Sequence, residues 1–318
     1  MTCNAVRPLR GLRALVLSVV AAAAGYLAFS LWGGWQDVLA ALQHVSLPVL
    51  LLLLLLSLVN YGLRFARWQY YLVLFGHHVP WLSSLRIYLG GFALTTTPGK
   101  AGEALRCVLL HPLGVPWPHS LAALLAERLG DLVAILLLAA IGLAAYPQGR
   151  GVVLVVGVLL LALLWLIQQR VWLERLDQWL RQRFGGRPAA LAAGLIETIL
   201  HSSRLFSLPL LVYSSVLGVV AWGAEGVAFY YLVQVLGADI DLPTALFIYA
   251  FSMLVGAVSF LPGGLGGAEL AMVTLLTLHG MSPGVAVAAT VIIRLATLWF
   301  AVMLGAVALV PGRKIGAP

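Results

Sequence analysis

Apolar residues fill this chain in blocks of about twenty, each broken by a short polar or aromatic cluster, and the block length is that of a bilayer-crossing helix. Arg7, Arg10 and Arg13 precede the first block, Ala14 to Trp32. Its flanking Trp32 and Trp35 suit a retained span rather than a cleaved leader. Pro48 opens a leucine-rich helix that ends among Arg64, Arg67, Trp68, Tyr70 and Tyr71. Arginine beside belt aromatics reads as a cytoplasmic interface, so Arg64 and Arg67 are expected to be interface anchors, with head-group ligation as the alternative. Further helices are expected from about Ser120 to Tyr146, Gly151 to Gln168, Leu208 to Leu236 and Gly284 to Val310. Between 170 and 204, Trp172, Leu173, Leu176, Trp179 and Leu180 recur at helical spacing opposite Arg170, Glu174, Arg175, Asp177 and Arg181, which predicts an amphipathic segment on the cytoplasmic surface.

Composition sharpens this picture. Apolar and aromatic residues make up 62% of the 318 positions and charged residues 9%, too few to coat a water-soluble globule of this size. The expected fold class is all-α, a polytopic transmembrane helix bundle forming a single transmembrane domain over 1–318. The net charge of +8 comes from 19 basic residues, all arginine except Lys100 and Lys314. With the N-terminus inside, the arginine-rich loops all fall on the cytoplasmic side, so the charge reads as topology and not as a nucleic-acid surface. Both termini are expected to be cytoplasmic. Two cysteines and seven scattered histidines offer no disulfide framework and no HExxH pair, and neither a metal nor a cofactor is expected.

The two halves of the chain resemble each other. Tyr70-Tyr71-Leu72-Val73 answers Tyr230-Tyr231-Leu232-Val233, Gly76 answers Gly237, and Ile87-Tyr88 answers Ile248-Tyr249. Thr97-Pro98-Gly99 answers Leu261-Pro262-Gly263, Glu103 answers Glu269, and Arg128 answers Arg294, with the same Glu-to-Arg separation in both. The repeats are placed at about 48–146 and 208–310. Equivalent points are separated by three or five spans according to whether Trp81 to Leu110 is re-entrant or crosses twice. Either number is odd and predicts an inverted repeat, which in transporters sets the working site near the midplane.

Each repeat contains a Pro-Gly break, Thr95-Thr96-Thr97-Pro98-Gly99-Lys100-Ala101-Gly102-Glu103 and Leu261-Pro262-Gly263-Gly264-Leu265-Gly266-Gly267-Ala268-Glu269, read as the tip of a re-entrant hairpin. Irregular backbone at membrane depth must be buried in protein or line a wet cavity. Helices restarting there would turn free N–H groups toward it, an arrangement that suits a phosphate. The bland reading is an ordinary interfacial loop. Glu103, Arg106, Glu127, Arg128, Asp131, Glu269 and Arg294 all lie in or beside apolar stretches. Each costs roughly 2.5–3.5 kcal/mol at the bilayer centre, so they are expected to face inward and pair. Glu127 and Asp131 share a helix face with Arg128 between them and read as structural, whereas Arg294 is expected to take Glu269 as its partner. Glu225 is an intramembrane acid without an obvious partner. Asn60 is a possible polar contact, and the histidines receive no role.

Enzymatic motifs fail: Leu94 stands where a phosphate loop needs its first glycine, and no GxSxG or Rossmann unit occurs. The runs PGKAGEALR, AERLGD and PGGLGGAE, in that order, resemble the lysylphosphatidylglycerol synthase transmembrane family of flippase-like membrane proteins, from about Arg13 to Val310. By that resemblance Pro98, Gly99, Gly102, Glu103, Arg106, Glu127, Arg128 and Asp131 form one set of motif positions, and Pro262, Gly263, Gly264, Gly266, Gly267, Glu269 and Arg294 a second, together a substrate-binding and translocation site. No soluble aminoacyl-transferase domain follows Val310, so no enzymatic activity is expected. What the resemblance implies is a bacterial inner-membrane protein that translocates a phospholipid or lipid-linked envelope precursor with an anionic head group between leaflets. The alternative is a non-catalytic accessory protein that scaffolds envelope-biosynthesis enzymes, for example of hopanoid or glycolipid assembly.

Overall fold

The computed structural model describes residue 25 and residues 35–97, 102–144, 149–183, 186–259 and 261–310. The first apolar block apart from Gly25, together with Pro98, Gly99 and the basic pair Arg313 and Lys314, lies outside the described residues. Among the described residues every regular element is helical: α1 (Trp35–His44), α2 (Leu47–Leu74), α3 (Trp81–Phe92), α4 (Leu105–Leu110), α5 (Trp117–Ile141), α6 (Arg150–Gln168), α7 (Arg170–Arg183), α8 (Gly186–Leu205), α9 (Leu208–Val235), α10 (Leu242–Val258), α11 (Gly267–Leu278), α12 (Pro283–Arg294) and α13 (Phe300–Leu309), with short 3-10 turns between some of them. A π-helical segment, Leu295–Trp299, joins α12 to α13.

Among the described residues, four stretches are long and apolar enough to cross a membrane: α2, α6, α9 and the continuous run Pro283–Leu309. The 25-residue α5 carries Glu127, Arg128 and Asp131 in its middle. Helices α3, α10 and α11 have 12, 17 and 12 residues. At 1.5 Å per residue α3 spans about 18 Å, well short of a 30 Å hydrocarbon core. The expected segment at 170–204 is two helices, α7 and α8. Leu173 of α7 is buried, and α7 packs on α8. Trp172, Leu176 and Trp179 stay exposed on α7.

The same sequence of elements occurs in both halves, and the reasons are local. Helices α2 and α9 are both 28 residues long and both enter through Ser-Leu-Pro, where proline costs no hydrogen bond because first-turn amides have no intrahelical partner. Both end in a left-handed glycine, Gly76 (φ 81°) and Gly237 (φ 85°). The following amides, of His77 and Ala238, donate to Leu72 and Val233 carbonyls at 2.9 Å in each case, closing the helix end in the same way. The packing is reciprocal: α2 lies against α9, α3 of the first half against α13 of the second, and α10 of the second against α5 of the first. Small residues permit the closest crossings. A Cβ on Gly305 of α13 would fall 2.2 Å from the Ala93 nitrogen after α3, and one on Gly142 after α5 would fall 2.2 Å from Phe247 Cβ of α10.

Candidate functional site

Helices α2, α3, α4 and α5 meet around a buried cluster of ionised side chains. Asn60, Arg64 and Arg67 occur at i, i+4 and i+7 of α2 and share one face, and on α5 Glu127 and Asp131 are one turn apart. Glu127 accepts from four groups on four helices: Arg106 Nη1 at 2.8 Å, Arg128 Nη2 at 2.8 Å, Tyr88 Oη at 3.0 Å and Arg64 Nη2 at 3.1 Å. Asp131 accepts a short bond from Arg67 Nη2 and pairs with Arg64 Nη2 at 3.0 Å and Arg128 Nη2 at 3.4 Å. Glu103 accepts from the Thr95 hydroxyl at 2.7 Å and pairs with Arg128 at 3.2 Å and Arg106 at 3.4 Å. Arg67 also reaches the main chain, donating to the Glu127 carbonyl at 3.3 Å and to Ser214 of α9 at 3.4 Å.

Among the described residues four guanidinium groups thus face three carboxylates, one positive charge in excess. Aromatic faces take up part of that charge. Arg106 lies 4.0 Å from the Tyr88 ring centroid and 5.4 Å from that of Trp68, and Arg64 lies 5.3 Å from that of Trp222. Space for Arg106 is made by Gly91, where a Cβ would fall 2.3 Å from Arg106 Nε. Most of the cluster is sealed, with side-chain exposure of 7% or less, but Arg128 is 23% exposed.

The second half holds a smaller site. Residues 262–264 form a 3-10 turn, and Gly263, Gly264 and Gly266 all have positive φ, which side-chain-bearing residues rarely adopt. Gly264 packs against the Gly256 backbone of α10, where a Cβ would meet atoms at 3.2 Å. Glu269, in the first turn of α11, accepts the Gly266 amide at 2.6 Å and Arg294 Nε at 2.7 Å. Arg294 Nη2 donates to the Gly263 carbonyl at 3.0 Å, so the arginine ties the glycine turn to the end of α12. The π segment follows at once, and the Tyr61 hydroxyl of α2 donates to its Thr297 carbonyl.

Of the expected site residues, Glu103, Arg106, Glu127, Arg128 and Asp131 converge in the first cluster, and Gly263, Gly266, Glu269 and Arg294 in the second. Gly102 closes the first break: its amide donates to Thr97 Oγ1 at 2.7 Å, and a Cβ on it would fall 2.3 Å from Leu94 Cβ. Gly267 starts α11 against Ser259, and Pro262 opens the 3-10 turn. Three expectations change. Arg64 and Arg67 are not interface anchors but core residues, 6% and 0% exposed, because Glu127 and Asp131 give them partners inside the bundle. Those two carboxylates meet four guanidiniums, not one. The Gly266 amide is held by Glu269 rather than left free for an anion. Glu225 has a partner in the Tyr249 hydroxyl, which donates to it at 2.6 Å. The sequence gives Tyr88, Thr95 and Tyr61 no role, nor Met253 of α10, whose sulfur accepts from Arg294 Nη1 at 3.7 Å; the i, i+4, i+7 spacing of Asn60, Arg64 and Arg67 is a signal for the first cluster.

These two sites carry the motif residues of a known family, and its profile, the lysylphosphatidylglycerol synthase TM region, matches residues 14–305. The chain belongs to that family. Its relatives include a UPF0104 membrane protein from Pyrococcus horikoshii, 22% identical over 89% of this chain and 93% of the relative. Two UPF0104 membrane proteins from Methanothermobacter thermautotrophicus are 24% and 26% identical, over 88% and 93% of this chain and 88% and 92% of each relative. As a member of this family with several apolar helices long enough to span, the protein is an integral membrane protein.

Proposed function

We propose that the protein moves a phospholipid or lipid-linked precursor between the leaflets of the cell membrane, binding its anionic head group where the two halves meet and leaving its acyl chains in lipid. The observation that carries this reading is Arg128: a guanidinium in the middle of the 25-residue α5, part of a cluster that among the described residues has one positive charge in excess, and the most exposed member of that cluster. A charge at this depth is costly unless it serves a polar pathway, and a head-group phosphate is the anion available in a bilayer. Arg294 would take the corresponding role in the second half, with Glu103 and Glu269 balancing the arginines when no lipid is bound.

The inverted relation of the halves belongs to this proposal. It is supported by the matching caps of α2 and α9, by the reciprocal packing, and by the short α3, α10 and α11, which suit limbs that enter and return. No chemical step is assigned to the protein, and movement would be passive or coupled to an ion gradient. A cytoplasmic location of both termini is the topology that follows from the arginine distribution.

The test is leaflet exchange of labelled phospholipids in proteoliposomes, with Arg128→Gln and Arg294→Gln reconstituted beside the wild type. Exchange by the wild type and a loss of about tenfold or more in either variant, at equal folded protein, is the expected result. No exchange of any lipid offered, with or without a proton gradient, would sink the reading. It would favour the accessory-protein alternative, for which the exposed Trp172, Leu176 and Trp179 of α7 offer a dock.

A further inference from the structure

None of the histidines enters the sites above, yet three of them meet at one end of the bundle from three different elements. His77 follows the α2 cap, His119 sits in the first turn of α5, and His201 lies on α8. His77 Nε2 and His119 Nδ1 share a 2.8 Å hydrogen bond. The His119 ring stacks on Phe75 at 4.8 Å between centroids and receives the His201 ring edge-on at 4.5 Å, while Phe75 also meets His201 at 6.1 Å. All three histidines are partly buried, so protons reach them. On α8 the charged neighbours are Glu197, whose carboxylate lies 3.7 Å from His201 Nε2, and Arg204, which together with His77 and His201 faces His119. α8 leans on α5 along much of its length.

We propose that this trio is a proton-operated latch that docks α8 on the bundle at neutral pH and releases it on acidification. An imidazole pair keeps its hydrogen bond with one proton too many but not with two, because the bond needs one ring nitrogen with a free lone pair. With the trio fully charged, three imidazolium groups and Arg204 stand against the single carboxylate of Glu197, and the stacked contacts on Phe75 become a repulsive cluster. Burial pushes His77 below its ordinary value, and burial followed by the facing His201, His77 and Arg204 pushes His119 below its own, against the opposing pull of Glu197. Because α8 brings His201 and Arg204 against His119, the docked form binds fewer protons than the released form as pH falls through the ordinary imidazole range, and docking is strongest at higher pH and weakens as pH falls. The consequence reaches the candidate site through α5: His119 is eight residues before Glu127, about 12 Å along the same helix. The latch does not depend on what the site transports.

Hydrogen exchange on the full chain in lipid nanodiscs tests it, with rates scaled for the intrinsic pH dependence of exchange. Between pH about 7.5 and about 5.5, exchange in the α8 segment 186–205 should accelerate about tenfold or more while α9 stays unchanged. His119→Phe keeps a ring to stack on Phe75 but cannot titrate, and His77→Gln keeps a hydrogen-bonding side chain; each should remove most of the acid response. Should either variant fold poorly, His201→Gln provides the same reading from the α8 side. A pH-independent α8 in the wild type, or a full acid response in these variants, would overturn the latch.

Discussion

The two halves of the molecule share a backbone plan and differ in what fills it. Arg64 and Glu225 are both the eighteenth residue of a 28-residue helix, and Arg67 corresponds in the same register to Ala228. Counted from Glu103 and Glu269, Arg106 corresponds to Met272, Glu127 to Ile293 and Asp131 to Thr297. What both halves retain is one glutamate paired to one arginine: Glu103 with Arg128 at 3.2 Å and Glu269 with Arg294 at 2.7 Å. Even the paired tyrosines diverge, Tyr88 donating to Glu127 on α5 and Tyr249 to Glu225 on α9. The first half is thus cross-linked through a network spanning α2 to α5, whereas the described residues of the second tie its break through the Glu269–Arg294 pair, a glycine turn and a π segment. Caps and glycines carry the shared plan, and the ionised interior is where the halves became different.

That contrast is broken most readily by removing one acid from each half. Asp131→Ala strands Arg64 and Arg67 in the core without their main carboxylate, and breaking a buried pair in this way costs about 3–5 kcal/mol. Glu269→Gln keeps one acceptor oxygen, enough for the Gly266 amide or for Arg294 but not for both, which now bind different carboxylate oxygens; it should still cost less, because one arginine rather than two loses an acid partner. Thermal midpoints of the detergent-purified variants would decide; an equal loss from both would mean that the first-half network is no more structural than the single pair. A smaller effect is expected at the contact where the halves meet. Tyr61→Phe leaves the Thr297 carbonyl of the π segment without the hydroxyl that now serves it, a loss of about 1–3 kcal/mol for a buried acceptor. Its sharper readout is local: exchange should rise in 295–303, behind Arg294, and not around Glu127. A π segment unaffected by the substitution would remove Tyr61 as its anchor.

How much of this was legible beforehand follows from where each signal lives. Helix positions came from block length and from Pro and Gly punctuation, which are local, so α2, α6 and α9 begin and end within a few residues of expectation. The Glu269–Arg294 pair was legible because an intramembrane arginine needs an acid and the repeat pointed to one. Arg64 and Arg67 were misread because arginine beside Trp68 and Tyr70 is also the signature of an interfacial belt. Their partners lie about sixty residues away on α5, and nothing in the local sequence separates the two readings. The histidine trio was illegible for the same reason, being assembled from three separated segments.

The smallest expected effect concerns a place where the second half has a device the first lacks. Helix α10 begins at Asp241, whose carboxylate caps the helix by accepting the Thr244 amide at 3.0 Å. At the corresponding start of α3 stands Pro80, which makes no side-chain cap. Hydrogen bonds from Thr244, first its hydroxyl and then its amide, hold the Asp241 carboxyl below its ordinary value. Its folded-state pKa lies under the unfolded one, so the cap's contribution is present above about pH 4 and fades as pH falls through the lower folded value. Asp241→Ala should cost under about 1 kcal/mol at neutral pH, since the group is open to solvent, and progressively less in acid. Pro80→Ala should show no such pH dependence, and a pH-independent Asp241→Ala penalty would mean that the side chain stabilises α10 by something other than its charged cap.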